Sequence, residues 1–317
     1  LERLAQPPTF GGFDRGARGA GTRNFVVIMG TSSRTAAFAR IVAQRLKDLP
    51  TSAGFDGVVA VAHTEGGSAA APNNRELLLR TLAGFAVHPN VGALLCVDYG
   101  SEAVSNTALQ QYLRDGGYPI DDVPHRFLSL KGGFDLHMAE AEAQATDWAR
   151  QLQQQSRIEL PSSRLKLALQ CGGSDAFSGV SGNPLAAWAA RELIRCGGAA
   201  NLAETDELIG AEPYVLKRVR DVKTAERFLH MVERFKERVS WHGASAEGNP
   251  SGGNKYRGLY NIVLKSIGAA MKRHPDVPLD GCLEYAEAIP ESGYWFMDSP
   301  GNDLESIAGQ VASGCNV

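Results

Sequence analysis

The sequence predicts an α/β protein in which a doubly wound, parallel-sheet domain is followed by a second α/β domain. Three observations carry that prediction. Short apolar runs alternate with amphipathic stretches of helical length across residues 25–155. The turns between them are short and contain glycine. At 317 residues the chain also exceeds the size at which a single core usually suffices.

Residues 25–29 read as a strand and 35–49 as a helix. A second strand follows at 57–62, then a helix over 73–86 for which Asn73 or Asn74 offers a cap. Residues 91–97 form the third strand, and a helix runs from about 103 to 114. Residues 126–130 make the fourth, ahead of a long alanine- and glutamine-rich helix over 135–155. Right-handed crossovers leave few arrangements for four such units. The turns at 30–34, 63–68 and 98–102 each follow a strand, so they fall on one edge of the sheet, with Gly30, His63 and Ser101 on one side. A boundary is placed at 156–164, where a polar helix end meets proline and two serines, giving domains 1–158 and 159–317. The second domain opens with a strand at 165–169 and a helix at 184–195, with Asn183 as N-cap and Pro184 at its first position. A short strand near 200–202 and a helix at 224–239 follow, and the last residues, 314–317, enter a further strand. The sequence is expected to be a piece of a longer protein at both ends.

Charge narrows the function class. Thirty-two basic and 35 acidic side chains nearly balance, without a long run of either sign, which argues against nucleic acid as a partner. No apolar stretch reaches membrane-spanning length and no signal peptide is visible, so no membrane partner is expected. Five widely spaced cysteines, with no CxxC pair, fit a reducing cytoplasm.

Four polar clusters interrupt this pattern. The strand ending at Leu169 breaks into Gln170-Cys171-Gly172-Gly173-Ser174-Asp175, where glycines allow a sharp turn and close approach to a ligand. Residues 203–212 hold Glu204, Asp206, Glu207 and Glu212. Asn249-Pro250-Ser251-Gly252-Gly253-Asn254-Lys255 is a loop of amides, glycines and one lysine, with Lys265 shortly after. Met297-Asp298-Ser299-Pro300-Gly301 places a carboxylate at another strand-to-turn junction. In the first domain, the amides and hydroxyls of residues 30–35 with Arg34 suit a substrate carboxylate or phosphate, and an ordinary βα turn fits equally well. His63, two residues before Glu65, suits metal binding or proton transfer as well as a structural role.

These four clusters, together with Gly21-Thr22-Arg23-Asn24, resemble the C-terminal catalytic region of the altronate and galactarate dehydratase family of sugar-acid dehydratases. The resemblance spans nearly the whole chain. It departs from the family where cysteines are usual: residues 30–34, 63–68 and 99–102 contain none. Thiolates suit iron or zinc, whereas hydroxyls and carboxylates suit magnesium, calcium or manganese, so oxygen ligands are expected to dominate and an iron–sulfur cluster is not expected.

The resemblance implies a metal-dependent hydro-lyase that removes water from an aldonate or aldarate, such as altronate or galactarate, to give a 2-keto-3-deoxy acid. Such chemistry needs a base, an acid for the departing hydroxyl and a positive field for the enediolate. Glu204, Lys255, Lys265 and Cys171 are the candidate catalytic residues, with either lysine able to hold the carboxylate or act as base. Arg34, Asn183, Asn249, Asn254 and Ser174 are the candidate substrate contacts. His63, Asp175, Glu207, Glu212 and Asp298 are the candidate ligands of a divalent cation, with iron, manganese, magnesium and calcium not distinguished. The expected partners are a small sugar acid, further copies of the chain, and a separate small N-terminal-type domain or subunit. A sulfolactate sulfo-lyase-like elimination and a non-catalytic sugar-acid binding protein are the alternatives.

Overall fold

Contacts divide the computed structural model, which describes residues 1–171 and 175–317, into a first unit over residues 9–160 with Asn316 and a second over 161–315 with Val317. Residues 1–8 cluster with the second unit, not with the first as the sequence division had it. Leu4 N donates to Arg195 O at 2.9 Å and Arg3 Nη2 to Ser292 Oγ at 2.6 Å, tying this segment down.

In the first unit, β1 (Thr9–Asp14) and β2 (Ala20–Gly21) pair antiparallel at one margin. The main succession then runs β3 (Phe25–Gly30), α1 (Ala36–Arg45), β4 (Gly57–Val61), α2 (Arg75–Ala86), β5 (Val91–Asp98), α3 (Asn106–Asp115), β6 (His125–Ser129) and α4 (Phe134–Leu152). The strand order is β4-β3-β5-β6, with every pair parallel. Alternate side chains of β3 enter opposite cores, as a two-residue period requires. Val26 and Ile28 pack with Phe38 of α1 and with Met138, Ala141 and Ala145 of α4. Val27 and Met29 pack with Leu78, Leu79 and Leu82 of α2 and with Leu109 and Leu113 of α3. All eight residues of β5 are buried, the mark of a central strand covered on both faces. The unit is doubly wound.

Two local expectations are corrected here. The helix expected over 35–49 is a 3₁₀ turn, Ser33–Thr35, followed by α1, which ends ahead of Pro50. Neither asparagine caps α2 with its side chain; Asn74 sits at the N-cap but only its carbonyl is used, by Leu78 N at 3.0 Å. The three turns at the sheet edge are bound to one another, the middle one through Ser33 N donating to Glu65 O and Ala103 N to Ser68 O, each at 2.8 Å. Ser32 Oγ donates to Glu102 Oε1 at 3.1 Å, the Tyr99 and Ser101 amides donate to the same carboxylate, and Arg34 Nη1 reaches Ser101 Oγ at 2.7 Å. Burial alone would raise the Glu102 pKa, but these donors outweigh it and hold the carboxyl below its ordinary range.

A short strand, β7 (Ile158–Pro161), joins β1 and β2 in the order β2-β1-β7. The second unit continues with β8 (Lys166–Leu169), α5 (Gly182–Arg195), β9 (Ala199–Leu202), α6 (Glu212–Leu216), α7 (Val222–Ser240), α8 (Gly252–Tyr256), α9 (Ile262–Ala270), β10 (Gly281–Leu283), β11 (Gly293–Met297) and α10 (Asp303–Ala312). Its sheet has the order β10-β11-β9-β8, again wholly parallel. Ala200, Leu202, Tyr294 and Phe296 face Ala190, Ile194, Phe228, Met231 and Val232, while Ala199, Trp295 and Met297 face the opposite core. The helix expected to start on an Asn183 cap starts two residues earlier, with Ser181 at the N-cap; Asn183 Nδ2 instead donates to Gly268 O on α9 at 2.8 Å. At the chain's end Val317 N donates to Lys166 O and Val317 O accepts from Ala168 N, alongside β8. Among the described residues no helix is long and apolar enough to cross a membrane.

Candidate active site

Because β8, β9 and β11 run parallel, their C-terminal ends deliver Gln170 and Cys171, Glu204, and Asp298 and Ser299 to one edge of the second unit's sheet. Glu204 is the pivot. Its backbone is left-handed, φ 72° and ψ 76°, a conformation that costs a residue with a side chain on the order of 1–3 kcal/mol. Ser299 holds it there: Glu204 N donates to Ser299 Oγ at 2.9 Å and Thr205 N to Ser299 O at 2.8 Å. The kink starts a 3₁₀ turn, Thr205–Leu208, with Glu207 N donating to Glu204 O at 3.0 Å.

Each Glu204 carboxylate oxygen has a donor, Gln170 Nε2 at 2.7 Å and Cys171 N at 2.8 Å. Helix α9 brings in Lys265, whose ammonium donates to Glu207 Oε1 at 2.6 Å and to Asn249 Oδ1. Lys272, in the turn after α9, lies 3.6 Å from Glu204 Oε2 and 3.9 Å from Glu207 Oε2. Glu204, Glu207, Lys265 and Lys272 are all buried. Burial first, then the Glu207 charge, push the Glu204 carboxyl up to about 8, against the opposing pull of Lys272 and the Cys171 amide. Burial works to lower the Lys265 pKa, but Glu207 more than offsets it and the ammonium is held above its ordinary value. Asp206, beside them, is raised by burial although Asn249 Nδ2 donates to it. Gly301 leaves room for that carboxylate, since a Cβ there would come within 2.6 Å of it.

Thus Cys171, Glu204, Glu207, Lys265 and Asn249 come together, and the other candidates take separate places. Asp298 is paired with Arg234 and accepts from Thr205 Oγ1 at 2.6 Å, so it braces the Glu204 turn from behind. Glu212 pairs with Lys236 at 3.4 Å. Asp175 accepts from Ser178 N at 2.7 Å and borders an open hollow of about 400 Å³ with Phe177, Val180 and Arg257. Lys255, half-exposed on α8, donates to Glu247 O at 3.2 Å, and Asn254 N donates to Ser251 Oγ at 3.2 Å. Arg34 and His63 belong to the first unit. There Arg34 stacks over Tyr99 at 4.7 Å, and burial lowers the His63 pKa against the carbonyls of Thr31 and Gly30. Ser174 lies outside the described residues.

Lys272 and the Thr205–Ser299 brace escaped the sequence reading, and Asp206 was named in its cluster without a role. A signal for Lys272 existed: it stands seven residues after Lys265, two turns along a run otherwise almost free of charge, which places both on one helix face.

Among the described residues, the three groups able to surround an ion are Cys171 Sγ and one oxygen each of Glu204 and Glu207, within 4.8 Å of one another. Their spacing is compatible with a cation, but their electrostatics are not. The same carboxylates already face two ammonium groups, and like charges about 4 Å apart repel by about 4 kcal/mol per unit pair near a protein surface. A dication would compete with both lysines for the same oxygens. As it stands, the donor set does not fit a divalent metal.

Comparison with known proteins places both units. The family described as "D-galactarate/Altronate dehydratase, C-terminal" matches residues 162–317, and "D-galactarate dehydratase/Altronate hydrolase, second domain" matches residues 12–153. The chain belongs to the galactarate/altronate dehydratase family. This dehydratase-family chain is 30% identical over 313 residues to an altronate dehydratase of Bacillus subtilis, covering 98% of itself and 61% of that protein. It is 32% identical over 303 residues to an altronate dehydratase of Escherichia coli, covering 94% of itself and 59% of that protein. A (2R)-sulfolactate sulfo-lyase subunit beta of Chromohalobacter salexigens is 29% identical over 308 residues, with 96% and 75% covered. The dehydratase-family chain therefore spans about three fifths of the length of the two altronate dehydratases.

Proposed function

We propose that this chain carries the catalytic chemistry of a sugar-acid dehydratase: elimination of water from an aldonate or aldarate to give a 2-keto-3-deoxy acid. The observation that carries the reading is the buried pair Glu204 and Glu207, two carboxyl groups in contrasting environments. Glu204 keeps its proton up to about pH 8, while Glu207 is ion-paired to Lys265. Paired carboxyls whose surroundings separate their protonation states supply an acid and a base. In this reading Glu207 takes the α-proton. The C–H electron pair first delocalises into the substrate carboxylate as an enediolate, then forms the new carbon–carbon double bond and expels the β-hydroxyl, which receives the Glu204 proton and leaves as water. The resulting enol becomes the keto acid. Lys265 and Lys272 supply the positive field for the enediolate, so no step runs through a divalent cation. Asn249, Asn254 and Lys255 are assigned to the hydroxyls and carboxylate of the substrate, Asn183 to holding α5 against α9.

The names of the curated relatives, altronate dehydratase and galactarate dehydratase, favour a sugar acid as substrate. The sulfolactate sulfo-lyase relative favours, as second reading, the same elimination with sulfite leaving; its designation as a subunit supports a further subunit as partner. A homo-oligomer in the cytoplasm completes the proposal. The test is keto-acid formation across a panel of aldonates, aldarates and sulfolactate by the purified chain, alone and within the full-length protein. Turnover of none of them by either form overturns the reading in favour of a binding protein.

A further inference from the structure

We propose that the space between Lys272 Nζ, Glu207 Oε2 and Glu204 Oε2 is a subsite for a hydroxyl group, either water or an alcohol of a bound molecule, and that it excludes a divalent cation. The inference stands on ion-pair geometry and does not depend on the elimination chemistry.

Two observations define the gap. Lys272 Nζ and Glu207 Oε2 are buried, with side chains 4% exposed, and neither has a hydrogen-bond partner among the described residues. They point at each other, yet 3.9 Å separates them, and Glu204 Oε2 is 3.6 Å from the same ammonium. These distances are too long for direct N–H···O bonds and suit one small group beside the pair that bonds both of its members. An ammonium only donates and an ionised carboxylate only accepts. The missing group must therefore accept from Lys272 and donate to Glu207, which a hydroxyl does and a metal ion cannot. Charge gives the same answer. Two lysine ammoniums already face these carboxyl groups, and Lys265 is anchored to Glu207 and Asn249. An added dication would have to compete with these buried ammoniums for the same carboxyl oxygens.

Crystals of the chain soaked in cobalt(II) chloride, with anomalous data at the cobalt edge, test the assignment. The expected result is a light-atom peak within hydrogen-bond distance of both Lys272 Nζ and Glu207 Oε2, with no anomalous signal at the cluster. An anomalous peak bridging Cys171, Glu204 and Glu207 overturns the proposal. So does a gap closed by a direct Lys272–Glu207 bond with no peak between them. In solution, cobalt titration of the wild-type chain should give no thiolate-to-cobalt absorption band. A stoichiometric band that disappears in Cys171→Ser refutes the exclusion regardless of crystal conditions. Failure of every sugar acid to react would remove the dehydratase reading and leave these outcomes unchanged.

Discussion

Glu204 concentrates the chemistry of the second unit in one residue: a strained backbone, a buried carboxyl and donors on both oxygens. Its titration is a stability statement as well as a catalytic one. Between its ordinary value of 4.5 and about 8, the folded chain holds a proton that the unfolded chain has released. Stability therefore falls as pH rises through that window, by up to about 1.4 kcal/mol per unit. Glu204→Gln should flatten this part of the stability–pH profile in urea melts, leaving the wild type relatively weaker at pH 8 than at pH 5. The same substitution should lower keto-acid formation by roughly 10²–10⁴-fold, the usual weight of a general acid. An unchanged turnover number would remove Glu204 from the acid role.

At the scale of elements, the site depends on how loops and helices are held to the sheet edge. Arg234 of α7 bonds Glu284 at 2.7 and 3.2 Å and also reaches Asp298 at the end of β11. Arg234→Met leaves Asp298, whose side chain is 7% exposed, without its guanidinium. Stability should fall by about 3 kcal/mol, seen as a lower urea midpoint at constant m. Lys255 gives the opposite case. It sits half-exposed on the short helix α8 and donates to a backbone carbonyl. Lys255→Met should lower turnover by orders of magnitude while Tm moves by no more than about 2 °C, since exposed charges contribute little to folding. A lower Tm with full activity per folded molecule would make Lys255 a structural residue.

The whole molecule carries a net charge of −3 with both signs interspersed. That distribution offers no sustained basic stripe for a phosphate backbone. In gel-shift titration at physiological salt, duplex DNA and RNA should remain unbound at micromolar chain; a salt-sensitive shift would contradict this. Each unit has its own cores on the two faces of its own parallel sheet, so each edge chemistry can be read within its unit.

By itself, the sequence determined the βα succession of residues 25–152, because short apolar runs closed by glycine-containing turns and 3.6-residue apolar periods alternate there as local signals. It also placed the polar turns after strands, and motif order was enough to point to the family. Strand β1 was not legible because two glycines break its apolar pattern, β2 and β10 hold only 2 and 3 residues, and the nine-residue apolar α9 reads equally as strand or helix. Only the tertiary structure decided which charges meet. Glu204 and Glu207 could be named from sequence, but their partners Lys265 and Lys272 lie 58 or more positions away and arrive by the docking of α9. The same docking turned Asn183 from a cap into an interhelical donor, and the packing of α7 paired Asp298 with Arg234 instead of placing it in the cluster. Charge pairing depends on distances of a few ångströms between segments remote in the chain, and nothing in the local order of residues encodes those distances.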